Sequence, residues 1–545
     1  MIHKHYDVIV LGRSIGALTA AALLARRDFT VMVVGHGERP PTYRLDQHVL
    51  RRRAFTLLAE PSPAWRRFLV ELAQSQTWKR RIVPALPMLQ VVAPRRRLDV
   101  PPDMVLFGRE IDREFPELRR VVDELYAELA HVNGAADDAF SHDALWPPGT
   151  FWERRETARY AAMLPYARAE PDADLLVEFP RGHLFRSIVT QSVLFATDLS
   201  ALPPPFAVAR LHGAWTRGLM TLPRGEEELE EFLVERILAH GGRCLLDERA
   251  ASVHVRRGTA AGVVLDGDDH PNGSSFVITD MDGETLASLS GGEGIHKRAL
   301  REWPRITSSV GRFVVSLIVR REGLPEPLGP ETLLLPFPSS SSALAGRSMT
   351  SSPAPRAAGD AGGRPSSARS TRPAGPGRPV VHLQRCDLPP PSTDTLLVAE
   401  ILLPDRGPLS LLDARQAVLD ALTAELPFLE RHLVLVDSVH DGLPVWVYDG
   451  QRRRLVERAA LKGAAPGAEP MVRQLEVDPP GYLGLAGEPI RGPIERTLLV
   501  GRSVLPGLGQ EGQLLAAWGA ARLVTRTDRR KERMRRDMWS KVEIG

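Results

Sequence analysis

The chain has 545 residues, more than one hydrophobic core serves, so two or three intertwined domains are expected. With 43% hydrophobic and 25% charged residues it reads as a soluble globular protein, and a formal net charge of +3 gives no case for global nucleic-acid binding. Cys244 and Cys386 alone make neither a disulfide framework nor a zinc cluster, the histidines show no metal spacing, and no run approaches the roughly 20 apolar residues of a membrane helix, so a soluble, cytoplasmic, metal-free protein is expected.

Tyr6–Leu11 is a short β-branched run of the kind a parallel strand buried on both faces needs, and Gly12 ends it. Ile15–Arg27, rich in alanine and leucine, predicts a helix, and Phe29–Val34 a second buried strand. The three make a βαβ unit of mononucleotide-binding length. Helical patterning follows over Ala64–Gln74 and Arg113–His131, then a polar, proline-broken stretch from Phe140 to Pro205. Glu226–His240 predicts a helix stopped by Gly241 and Gly242; strands are expected at Ala251–Arg256, Ala261–Leu265 and Ser275–Thr279. Ser339–Pro379 is almost wholly Ser, Ala, Gly, Arg and Pro; it cannot bury enough surface to offset its ordering entropy, and is expected to be a disordered insertion. Strands resume at Val380–Arg385 and Thr395–Leu402. Thr497–Val500 is a last strand, followed by a glycine-rich turn, a helix near Gly512 and a basic tail, 525–545.

The turn after the first strand carries the phosphate-binding logic. A diphosphate needs a tight turn, close backbone approach and a helix N-terminus aimed at it. Gly12, Ser14 and Ala17 stand where G-x-G-x-x-A places its small residues, with Ile15 and Gly16 opening the helix. Ser14 puts a hydroxyl where a second glycine is usual. The acidic residue expected on a ribose hydroxyl is replaced by Gly35, with Glu38 three positions later.

The second turn lies near the other end of the chain. A strand ends at Gly501, Pro506 and Gly507 turn the chain, and Gly509 and Gly512 lead to Gln513 at the head of a small-residue helix, a positive helix end suited to the pyrimidine edge of a flavin. Pro506, Gly507, Gly509 and Gly512 resemble in order and spacing the C-terminal flavin motif of the phytoene desaturase family, the carotenoid-desaturase and retinol-saturase group of FAD oxidoreductases. Leu222–Gly225, the helix through His240, Gly242–Leu245, the strand containing Val253, and Phe276–Asp280 follow in the family's order. The resemblance implies an α/β protein: a Rossmann-like FAD/NAD(P)-binding domain with an inserted α+β substrate-binding domain. The FAD-binding parts would be 1–60, 216–290 and 491–524, a substrate or helical region 61–215, and substrate-domain strands 291–490. It also implies FAD as cofactor, with Val253 on its adenine side, and an apolar, isoprenoid or carotenoid substrate oxidised by hydride transfer to the flavin.

No acid–base or nucleophilic constellation stands out, so the catalytic residues are unassigned. The tail Arg526–Trp539 mixes cations with Met534, Met538 and Trp539: peripheral contact with an anionic membrane is one reading, a solvated helix the favoured one. Arg51–Arg53 and Arg95–Arg97 are read likewise as solvated. Ser14 and Gly35 leave a second function open, a non-catalytic, flavin-free homologue that binds a lipid-like or prenyl ligand.

Overall fold

A computed structural model describes residues 4–36, 39–167, 173–296, 303–336, 378–388, 392–465, 467–528 and 531–533. Glu38, all but the last two residues of the expected insertion Ser339–Pro379, and most of the basic tail lie outside them.

Two sheets dominate. In the first, the parallel strands run in the order Arg243–Leu245, Val31–Val34, His5–Leu11, Asn272–Thr279, Thr497–Leu499. Ala250–Arg256 and Thr259–Leu265 extend it as an antiparallel meander. Both faces are covered, which is why the first two strands read as unbroken apolar runs. The chain leaves His5–Leu11 toward one side and later returns on the other, so the sheet reverses its winding between His5–Leu11 and Asn272–Thr279. Ligands of open α/β sheets bind in the crevice at such a point. The first helix, Ile15–Arg26, lies against the last, Gly509–Thr525. Buried Arg27 fastens their far ends, with Glu71 on two nitrogens (2.7 and 3.0 Å) and the Thr525 hydroxyl on a third (3.1 Å).

Among the described residues the second sheet has ten strands, centred on the sixteen-residue strand Arg305–Arg320. Alternation along that strand sorts its faces. Phe313, Val315, Leu317 and Val319 meet the helix Leu411–Glu425. Val314 and Ile318 meet Tyr43, Leu45 and Leu50 of the hairpin Thr42–Leu45/His48–Arg51. That hairpin delivers the segment 52–56 to the space between the sheets.

A helical layer is built from 63–79 and 104–216, while the strands Leu89–Ala93 and Arg96–Val100 between them join the second sheet. The helix expected over Arg113–His131 is two, Met104–Glu114 and Arg119–Ser141, because Pro116 breaks the run. The stretch from Phe140 to Pro205 is not simply irregular: it contains Phe151–Ala161, opened by a Thr150/Glu153 capping box, and Leu184–Ala196. Where three helices of this layer meet, His212 is buried, with the Ser192 hydroxyl 2.7 Å from Nδ1 and the Tyr126 hydroxyl 3.0 Å from Nε2. Burial pushes its pKa down to about 4. The imidazole is therefore neutral in the folded protein, while an unfolded chain takes up a proton below its ordinary value of 6.5. Stability is full above that value and falls with pH toward 4, by about 3 kcal/mol in all from this one group. Denaturant titrations across that range check it; His212→Gln is expected to flatten the slope. No described helix is long and apolar enough to cross a membrane.

Candidate functional site

The N-terminal turn is built as its sequence requires. Gly12 adopts φ +119°, and a Cβ there would stand 1.9 Å from a carboxylate oxygen of Asp280. Ser14 caps the first helix: its hydroxyl accepts from the Ala17 amide at 3.2 Å. The Ser14 amide in turn donates to Asp280 Oδ2 at 2.9 Å. That leaves the first-turn amides of Ile15 and Gly16, which have no acceptor within the helix by its geometry. Gly16 is the contact with the other end of the chain, for a Cβ on it would lie 2.2 Å from the Val500 carbonyl oxygen.

The C-terminal turn packs just as closely. The Pro506 carbonyl accepts from the Thr197 hydroxyl and the Asp198 amide, both at 3.0 Å. Gly509, at φ +53°, brings its Cα against the Ala196 carbonyl. Its positive φ lets the chain run from the turn straight into a helix that begins at Gly509, three residues before the expected start at Gly512. Glu511 in its first turn is buried on Arg210, with two 2.6 Å hydrogen bonds, and Arg210 also meets Asp137 at 2.7 Å. Burial opposes ionisation of Glu511, and Arg210 beside it more than reverses this, holding the carboxyl below its usual range. Gln510 staples 56–59 to the turn, its amide nitrogen donating to the Thr56 carbonyl at 2.7 Å and its oxygen accepting from the Ala59 amide at 3.2 Å.

The two turns open on one cavity of about 230 Å³, to which the first contributes Ser14 and Ile15 and the second Arg502, Gln510 and Gln513. The far wall comes from one face of the second sheet, where register sets Val314 opposite Glu400 and Glu400 opposite His382. This wall is ionic. Arg312 pairs with Glu400 (2.6 Å), Arg502 with Asp198 (2.6 Å), Arg53 with Glu226 and Arg52 with Glu469 (2.9 Å). His382 leans on Glu331 at 2.7 Å, and Gln384 ties that carboxylate to the backbone of Phe55. Arg52 and Arg53 thus belong to the cavity wall, not to the solvated cluster read from sequence; their carboxylate partners are distant in the chain.

Of the residues singled out from sequence, Gly12, Ser14, Ile15, Gly16, Ala17, Gly501, Pro506, Gly507, Gly509, Gly512 and Gln513 come together around this junction. Gly35 and Val253 stand apart. The Gly35 amide bonds to the Leu245 carbonyl, and a Cβ would sit 1.9 Å from the Leu246 oxygen, so the end of the second strand is closed by backbone. Val253 is core, paired with Val263 in the meander. Sequence reasoning missed Asp280. Its signal was available: it directly follows the buried strand ending at Thr279, which puts its carboxylate at the C-terminal edge of a parallel sheet. Among the described residues no group of three His, Cys, Asp or Glu is placed to hold a metal ion.

The family model described as an NAD(P)-binding Rossmann-like domain matches residues 10–72, from the first strand through the turn to the helix Pro63–Glu71. The parallel sheet is Rossmann-like. No curated protein matches the sequence. Among solved structures, an oxidoreductase from Methanosarcina mazei is 14% identical over 94% of this chain and 98% of its own, with a TM-score of 0.50. The PF1083 protein from Pyrococcus furiosus is 12% identical over 95% and 97%, with a TM-score of 0.51. Cyclohexylamine oxidase from Brevibacterium oxydans aligns at 14% identity over 95% and 98%, with a TM-score of 0.47. At these identities the likeness to the first two is one of fold alone.

Proposed function

We propose that the protein is an FAD-dependent oxidoreductase whose flavin ring sits in the cavity beneath the two glycine-rich turns. The observation that carries this reading is the convergence of Ser14 and Ile15 with Gln510 and Gln513 on one cavity, although they come from opposite ends of the chain. The donors at the ring end suit such a group, and at the diphosphate end two amides remain. The amides of Ile15 and Gly16 would face the diphosphate, while Gln513 and the positive end of the last helix would face the electron-rich pyrimidine edge of the ring. When bound, the flavin supplies an acceptor for hydride. The chain's own task is to orient a substrate and keep water out, and the Arg312–Glu400 and Arg502–Asp198 pairs fix the walls that do so.

These pairs favour a small polar substrate. Phe195, Trp215 and Val314 beside them would take an apolar part of the same substrate, whereas the long all-hydrocarbon chain implied by the phytoene desaturase resemblance would leave the charged groups without polar partners from the substrate. The purified protein is expected to be yellow, or to become so on addition of FAD, with a flavin absorbance spectrum near unit stoichiometry. A colourless protein that takes up no FAD overturns the reading.

A separate observation favours a second reading, that of a flavin-free protein with a lipid-like ligand. A groove of about 1060 Å³ is lined by Leu176, Val208, Leu475, Val477, Leu483 and Leu485 among others. It predicts retention of a lipid by protein that holds no flavin.

A further inference from the structure

The reversal point of the parallel sheet is where an anionic ligand belongs, and one anion of the chain is already there. Asp280 follows the strand Asn272–Thr279, and its backbone is held between the two turns: its amide donates to the Leu11 carbonyl at 3.2 Å, and its own carbonyl lies where a Cβ on Gly501 would be, 1.9 Å away. Its side chain is therefore committed to the crevice. The carboxylate lies against the Cα of Gly12 and accepts from the Ser14 amide at 2.9 Å. These are the two features that a dinucleotide turn offers a phosphate: a glycine for close approach and an amide at a helix N-terminus. Ser14 adds to the effect, because its hydroxyl takes the Ala17 amide. A diphosphate entering this turn meets a fixed negative charge in its path and finds only part of the usual donor set.

We propose that Asp280 is the specificity determinant of this turn, a built-in carboxylate that takes the place of a phosphate oxygen and sets how strongly the site accepts a dinucleotide. The inference rests on the flavin reading and sharpens it: the ring end of the site is complete, and the diphosphate end is opposed by the chain itself. Asp280→Asn keeps the size of the side chain and one oxygen to accept from Ser14, and removes the charge while turning the second oxygen into an N–H donor.

The test is titration of FAD into the full-length wild-type protein, Asp280→Asn and Asp280→Ser, read by quenching of flavin fluorescence, with thermal melts to establish that each is folded. Both neutral variants are expected to bind FAD about tenfold or more tightly than the wild type, since each sets one negative charge fewer against the diphosphate. ADP, which carries the diphosphate without the ring, is expected to show the same ordering. FAD binding that is unchanged or weaker in folded Asp280→Asn overturns the proposal; if the wild type binds FAD in that case, the flavin reading stands without it. No FAD binding by any of the three proteins removes both.

Discussion

Replacing Glu511 by leucine is expected to destabilise the protein by about 3–5 kcal/mol, because it strands a buried guanidinium. Arg210 is 5% exposed and has Glu511 as its two-pronged partner; what remains is Asp137, itself shared with Arg217, and the Asn133 side chain at 3.1 Å. The same change should lower flavin content beyond what the loss of stability explains, since Glu511 anchors the first turn of the last helix and with it Gln510 and Gln513. Denaturant unfolding and bound-flavin absorbance measure the two effects. The double change Arg210→Met with Glu511→Leu is the control: apolar groups of similar volume in place of a buried ion pair are often neutral, so it should recover most of the stability. A single-variant loss below about 1 kcal/mol, the scale of an exposed pair, would refute the account.

How much of this was legible beforehand follows from the range of each interaction. The unit from Tyr6 to Val34 was readable because its information is local: β-branched runs, a small-residue helix and a glycine between them. The C-terminal turn was readable for the same reason, and only its helix start was misplaced, since a glycine at positive φ looks like a stop and here leads into the helix. Phe151–Ala161 was missed although Thr150 and Glu153 announced it, because the prolines around it outweighed a cap signal four residues long. The nature of the cavity was beyond reach. Arg312 and Glu400 are paired by neighbouring strands, Arg52 and Glu469 by the docking of a hairpin, and Arg502 and Asp198 by the docking of the C-terminal turn on the end of the helix Leu184–Ala196, and no local pattern says which arginine meets which carboxylate. Arg51–Arg53 and a solvated basic cluster look alike until the second sheet is in place. Asp280 falls between these cases. Its position at a strand end was visible, but its role depends on facing Gly12 across the chain reversal.

Asp437→Ala is expected to cost a further about 3–5 kcal/mol by the same physics in the second sheet, and to act on the site through the hairpin. Asp437 is fully buried at the end of the strand Leu433–Asp437. Tyr43 of the hairpin donates its hydroxyl to Oδ2 at 2.8 Å, and Arg458 donates to Oδ1 at 2.7 Å; Arg415, held by Asp441 at 2.5 and 2.8 Å, stands 3.7 Å away. Burial, with the Asp437 carboxylate beside it, pushes the Tyr43 hydroxyl well above its usual range, which favours the protonated, donating form. Alanine leaves Arg458 with backbone carbonyls alone and Tyr43 without an acceptor. Tyr43→Phe removes just the hydrogen bond and should cost about 1–2 kcal/mol. The hairpin runs directly into Arg52, Arg53 and Phe55 of the cavity wall, so both changes should loosen the wall and raise the dissociation constant for FAD, Asp437→Ala the more. Equal losses of stability in the two variants would mean that the hairpin contact, and not the buried charge, dominates; an unaltered FAD affinity in both would mean that the wall does not depend on the latch.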